Sequence, residues 1–270
     1  MAQAQTAKSA KKGFTLPAFV VIIVALIVSE LIFHFVFGDA SHFKDSLKKE
    51  PKPGDYMGII YKGGFVVPIL MTMFLVVITF AIERYLTIGK AAGTGNLETF
   101  LQNVKTKLAA NDISGAMAEC DKQKGSVANV VQAGLRKYAE MEKNTELEGE
   151  KKVLAIQQEI EESTALELPS LEQNLTVIAT IASVGTLIAL LGTVIGMIKA
   201  FAALATSGTP DPAALATGIS EALINTALGI FTSALAIIFY NLFTSKIDKL
   251  TYGIDEIGYS LTQSFASRKH

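Results

Sequence analysis

Four long apolar runs, at 14–37, 65–82, 177–201 and 215–243, decide most of what this chain can become. About 20 apolar residues in a helix match the hydrocarbon thickness of a bilayer. In lipid, a helix satisfies its backbone N–H and C=O groups within a single segment. Composition agrees. Of 270 residues 50% are apolar and only 18% charged, where a soluble domain carries about 25% charged. Mean hydropathy is +0.39. The first run follows Lys8, Lys11 and Lys12, as a secretory signal does. It is roughly twice as long as the usual apolar core of a signal, and no Ala-x-Ala site follows cleanly, so it reads as a retained spanning helix. The fold class expected is an all-α integral membrane protein with four transmembrane helices.

Between the runs the character of the chain changes sharply. Residues 38–61 are polar and turn-rich, with Pro51-Lys52-Pro53-Gly54. The second run has Pro68 near its start, where a missing donor does little harm, and stops at Glu83-Arg84. Residues 96–173 are rich in Lys, Glu, Gln and Ala, and Leu97, Phe100, Leu101, Val104 and Leu108 recur at helical spacing. Asp112 is placed to cap a short helix, and Gly125-Ser126 to break before the next. Such a stretch is a water-soluble helical domain. Between the last two runs, Ser207-Gly208-Thr209-Pro210-Asp211-Pro212 is turn chemistry.

Lysine and arginine in the flanking segments set the orientation. The turn between the last two runs has neither and belongs outside, while Arg84, Lys90, Lys105, Lys107, Lys246 and Lys249 belong inside. Both termini are then cytoplasmic. The outer segment still carries Lys44, Lys48, Lys49, Lys52 and Lys62, against the rule. The large soluble domain and the uncharged hairpin outweigh it.

Several function classes have no residues to work with. Net charge is −1, so there is no basic surface for nucleic acid. Cys120 is the single cysteine, and His34, His42 and His270 are too dispersed for a metal site. Gly93-Thr94-Gly95 lacks the Gly-Lys of a phosphate loop. No nucleophile elbow or paired-carboxylate cleft is present. The expectation is a protein that is not an enzyme and uses no cofactor; uphill work would draw on a gradient or a partner.

The informative residues are polar ones inside the apolar runs. The last two carry Thr176, Thr180, Ser183, Thr186, Thr193, Ser220, Glu221, Asn225, Thr226, Thr232 and Ser233. Most such hydroxyls hold helices together, and Gly192, Gly196 and Gly229 permit close helix approach. Glu221 is different, because an acid near a helix centre costs about 2.5–3.5 kcal/mol on insertion scales and marks ion paths. Thr193 lies about 15 residues before Gly208, with Glu221 about 13 and Thr226 about 18 after it. At 1.5 Å per residue these fall at similar depth. Thr193, Glu221, Asn225 and Thr226 therefore form an expected polar layer across two neighbouring helices. One hairpin cannot enclose a pore, so several copies or a partner would shield it. Glu30 and His34, four apart and toward the outer end of their helix, are expected to pair with each other or with interfacial water in preference to a transport role, and Glu83-Arg84 to anchor a helix at the interface.

The stretch 175–241 resembles the MotA/TolQ/ExbB proton-channel family, and within it the ExbB branch. The likeness rests on Leu190-Leu191-Gly192-Thr193-Val194-Ile195-Gly196-Met197, then Gly218-Ile219-Ser220-Glu221-Ala222-Leu223 with Thr226-Ala227-x-Gly229, ending in Tyr240-Asn241. Weaker similarity extends it over about 60–245. Two departures stand out. The run 14–37 is additional to the three spans of ExbB and TolQ, and Thr186 stands where a proline is common.

The resemblance implies a bacterial inner-membrane motor subunit and a homo-oligomer, a pentamer, around a dimer of an ExbD-like single-span partner. That partner's aspartate carries the proton, and a TonB-like protein receives the motion. Thr193 and Thr226 would offer hydroxyls to the carboxylate, and Glu221 would relay protons or hold the pore geometry. The order expected is a cytoplasmic N-terminus (1–13), an added span (14–37), a periplasmic segment (38–64), a second span (65–88), a cytoplasmic helical domain (89–174), a third span (175–204), a periplasmic turn (205–214), a fourth span (215–243) and a cytoplasmic C-terminal helix (244–270). Competing readings are a TolQ-type or a gliding or secretion motor subunit, a non-conducting scaffold and a solute transporter. The last would need inverted repeats and broken helices, which are not evident.

Overall fold

The computed structural model of the protein describes residues 17–44, 50–205 and 211–268. Lys8, Lys11, Lys12, Lys48, Lys49, His270 and the expected turn around Gly208 lie outside the described residues. Within them the chain is all-α. Helices α1 (Ala18–Leu31), α2 (Tyr56–Tyr61), α3 (Val66–Ala92), α4 (Leu97–Ala109), α5 (Ile113–Gln123), α6 (Gly125–Lys143), α7 (Gly149–Glu172), α8 (Leu175–Ala205) and α9 (Pro212–Ser267) follow in order. A π-helical turn, Ile32–Phe37, prolongs α1. Four helices are long and apolar enough to cross a membrane: α1 with its extension, α3, α8 and α9. The sequence boundary near residue 243 does not interrupt α9, which runs 56 residues because no Gly-Pro break follows the apolar run.

The chain divides into two compact units, Met1–Ala81 with Thr176–Tyr240, and Ile82–Leu175 with Asn241–His270. In the first, Val66, Leu70 and Ala189 form a core on which Met73, Ile188, Ile195 and Leu228 pack. The Ser29 hydroxyl of α1 donates to the Pro68 carbonyl at 2.6 Å, and Thr72 donates to the same oxygen at 2.7 Å. A buried hydroxyl on an apolar helix needs such a partner, and here it ties α1 to α3. The segment leading to α2 is closed by Phe33 stacked on Tyr61 at 4.7 Å, and by Asp55, which caps α2 through Met57 N and Gly58 N while holding His42 Nδ1 at 2.8 Å.

The second unit is built from amphipathic helices. Phe100, Val104, Leu108, Val127, Val131, Leu135, Tyr138 and Ile156 are buried, and the last turns of α9 add Ile257, Leu261 and Phe265. Asp112 caps α5 by accepting from Gly115 N at 2.8 Å, as its position in the sequence predicts. The predicted break at Gly125 is also present: Lys124 and Gly125 both take positive φ, 58° and 84°.

Arg84 overturns one expectation. It is not an interfacial anchor but has no exposed surface. Its guanidinium pairs with both Glu83 oxygens and donates to Ser170 O at 2.9 Å and Leu171 O at 3.1 Å. Those carbonyls belong to the last turn of α7, which has no intrahelical donors left, so a buried cation there satisfies both the orphan acceptors and the helix dipole.

Candidate functional site: the α8–α9 hairpin

Helices α8 and α9 run antiparallel at very short range because small residues face each other in register. A Cβ added to Gly196 would meet Gly218 O and Ala222 N at 2.7 Å, and one added to Gly192 would meet Asn225 Cβ at 2.8 Å. One added to Gly229 would meet Gly185 O at 2.9 Å. Close backbone approach of this kind substitutes for the hydrophobic driving force that lipid does not supply between helices.

On this register the four polar residues of the expected layer divide into two clusters. Thr193 Oγ1 and Thr226 Oγ1 lie 2.5 Å apart. Each also reaches a carbonyl of its own helix, Thr193 to Ala189 O at 3.0 Å and Thr226 to Ala222 O at 3.1 Å. Thr193 Oγ1 also stands 3.5 Å from Ala222 O, so two hydroxyl protons serve four contacts and two of the four are always without one. The pair can accept a proton at one oxygen and give one from the other, and its remaining lone pairs can take a third donor.

Glu221 and Asn225, one turn apart on α9 and also beside α8, meet the turn before α3. Asn225 Nδ2 donates to Gly63 O at 3.0 Å, while its Oδ1 is buried without a partner among the described residues. Glu221 is 4% exposed, and its Oε1 accepts from Lys199 Nζ at 2.6 Å. Gly64 lies against the same carboxylate. A Cβ there would fall 2.5 Å from Oε1, and its φ of +75° is one that L side chains rarely adopt. Steric room and backbone conformation each call for glycine. The ammonium of Lys199 also stands 5.9 Å from the Phe65 ring centroid, so the start of α3 approaches both partners of the ion pair.

Lys199, Gly63 and Gly64 escaped the sequence reading. One signal was available: Lys199 is the single basic residue from 173 to 245, and Glu221 the single glutamate. Asp211 lies in the turn, so Glu221 is the single acid inside the last two apolar runs and Lys199 the single base. Glu30 and His34 do pair, at 3.4 Å, on an exposed face of α1, and neither joins the hairpin residues. Among the described residues no group of three or more His, Cys, Asp or Glu is placed to hold a metal ion.

Long spanning helices, a glycine-packed hairpin, a hydroxyl pair and an ion pair with a buried carboxylate define a multi-pass membrane protein whose polar groups lie within its apolar helices. The chain belongs to the MotA/TolQ/ExbB proton channel family, whose model matches residues 122–256. It is 30% identical over 124 residues to the Tol-Pal system protein TolQ of Pseudomonas aeruginosa, covering 46% of this chain and 54% of that one. Against TolQ of Haemophilus influenzae it is 38% identical over 109 residues, covering 38% and 48%. Against the biopolymer transport protein ExbB of Pseudomonas putida it is 31% identical over 131 residues, covering 48% and 39%. The chain thus spans about half the length of the curated relatives it matches or less.

Proposed function

We propose that the protein is an ExbB-type subunit of a proton-motive-force-driven motor in the bacterial inner membrane, energising TonB-dependent transport across the outer membrane. The observation that carries this reading is the Thr193–Thr226 hydroxyl pair, which lies in a spanning hairpin and has spare acceptor capacity. A carboxylic acid brought to it by an ExbD-like single-span partner would find both a donor and an acceptor. Glu221, held by Lys199 and seated on Gly64, sets the geometry of the α3–α8–α9 contact beside that pair. The working assembly is a homopentamer around a dimer of the partner, in contact with membrane lipid and a TonB-like protein, with both termini cytoplasmic. The chain itself performs no covalent chemistry.

A TolQ-type role is the second reading, favoured by the 38% identity to a Tol-Pal system protein. The experiment is co-expression with the ExbD-like partner and, separately, with a single-span partner taken from a Tol-Pal system. Iron-chelate uptake and detergent resistance are scored for Thr193→Val, Glu221→Ala and Thr226→Val. Loss of uptake with an intact complex supports the ExbB-type reading. Loss of detergent resistance alone supports the TolQ-type reading. Full function of all three variants in both assays removes the hairpin residues from the mechanism.

A further inference from the structure

The second compact unit carries an open trough of about 450 Å³ at the end of α3, lined by Tyr85, Leu86, Gly89, Lys90, Lys124 and Lys246 among others. No lining residue is acidic. Lys105, Lys107, Lys122, Lys137 and Lys151 of the same unit each hold a carboxylate. Lys90, Lys124 and Lys246 hold none among the described residues. Three uncompensated cations therefore face one depression, brought there by α3, the α5–α6 turn and α9. A Cβ added to Gly89 of the lining would meet nothing within 4 Å. Lys246 Nζ lies 4.8 Å from the Tyr85 ring centroid, a contact that compensates little of its charge.

The rim supplies the second observation. Tyr85 and Leu86 of the lining, and Ile82 about one turn before them on α3, are large, apolar and more than half exposed. Ile82 closes the apolar run of α3, Tyr85 and Leu86 come within the next turn after Glu83-Arg84, and Lys246 comes three residues after Phe243, where the run of α9 ends. At 1.5 Å per residue, Lys246 is about 5 Å and Lys90 about 12 Å past the last residues of those runs. Headgroups occupy the first several Å beyond the hydrocarbon, and lysine stems reach back toward them. Tyrosine is the ring that favours this level.

We propose that this trough binds the phosphate of an anionic phospholipid, with Lys90, Lys124 and Lys246 on the headgroup and Ile82, Tyr85 and Leu86 along the acyl chains. A soluble phosphate compound would satisfy the three lysines but leave the apolar rim without a partner, which is why the ligand is a lipid. The site requires only that α3 and α9 leave the bilayer at this end. It is independent of which motor the chain serves.

The test uses the full chain, delipidated in detergent and titrated with phosphatidylglycerol or phosphatidylcholine while retained lipid is counted by native mass spectrometry. The charge-neutralising triple variant Lys90→Gln/Lys124→Gln/Lys246→Gln should lose phosphatidylglycerol retention by more than about tenfold. Its melting temperature and its phosphatidylcholine retention should be unchanged. The control Lys143→Gln/Lys151→Gln, elsewhere in the same unit, should retain phosphatidylglycerol as the parent does. Equal loss in the control would show non-specific attraction and overturn the site, as would full retention by the triple variant. Competition by inorganic phosphate at concentrations matching the lipid would reassign the trough to a soluble phosphate ligand.

Discussion

Lys199 Nζ stands 2.6 Å from Glu221 Oε1, and the two partners differ tenfold in side-chain exposure, 50% against 5%. The carboxylate is the member that cannot reach water. Removing Lys199 leaves a buried anion, whereas removing Glu221 leaves a cation that solvent or headgroups can reach. Lys199→Met is therefore expected to cost on the order of 2 kcal/mol, below the 3–5 kcal/mol of a fully enclosed pair. Lys199→Met/Glu221→Gln should recover most of it, and Glu221→Gln alone should cost less than Lys199→Met. Unfolding midpoints of the four proteins in one detergent check this. A double variant no more stable than Lys199→Met would show that the pair is not coupled.

Gly64 makes a separable prediction about the same carboxylate. Gly64→Ala must hold a side chain at φ +75° with its Cβ against Glu221, whereas Gly54→Ala at φ +81° has nothing within 4 Å. Backbone strain of about 1–2 kcal/mol is common to both. The excess loss of stability in Gly64→Ala measures the close approach to Glu221, and it should vanish when Glu221→Ala is added. Equal losses at the two glycines would place Glu221 away from the turn.

How much of this was legible beforehand varies with the kind of interaction. The spanning helices were plain because apolar run length reports on lipid directly, and Asp112 was plain because capping is local. Thr193, Glu221, Asn225 and Thr226 could be assigned to one depth from helical rise alone. Their division into two clusters could not, since it depends on where the Gly63-Gly64 turn meets the hairpin. Arg84 was misread for a similar reason. A charge at the end of an apolar run looks interfacial until the helix that supplies its carbonyl partners, some 86 residues later, is in place.

The hydroxyl pair separates shape from hydrogen bonding. Thr193→Val and Thr226→Val keep nearly the same volume but remove the 2.5 Å contact, while Thr→Ser at either site keeps it. Proton-driven uptake is expected to fall at least tenfold in either valine variant and to stay within about threefold of the parent in either serine variant, since each mechanism step lost is worth roughly 1.4 kcal/mol or more. Equal loss in serine and valine variants would point to the methyl groups, and so to packing.

The polar segment before α3 has its own pH signature. Asp55 is held below its ordinary value of 3.8, first by the His42 hydrogen bond and then by the backbone N–H groups of Gly58 and Met57. A depressed carboxyl contributes stability above its unfolded pKa and loses it as pH falls through the folded one. Protection of the Met57 and Gly58 amides, taken relative to the intrinsic exchange rate at each pH, should therefore be full at neutral pH and fall only below about pH 4. In Asp55→Asn the protection should lose this acid transition. An unchanged transition in that variant would assign it to another group.

Cys120 offers a clean report on the helical unit it belongs to. It is buried in α5, and burial, with the nearby charge of Asp121 second, pushes its thiol up to about 12. Only the thiolate is nucleophilic, so at pH 8 both access and ionisation protect it. Iodoacetamide labelling of the folded protein should be at least a hundredfold slower than that of a short unstructured peptide containing the same Ala-Glu-Cys-Asp sequence. The rate should rise with denaturant in step with the loss of helical signal. Rapid labelling of the native protein would mean that α5 opens locally, and would place the packing of α4, α5 and α6 among the less stable parts of the unit.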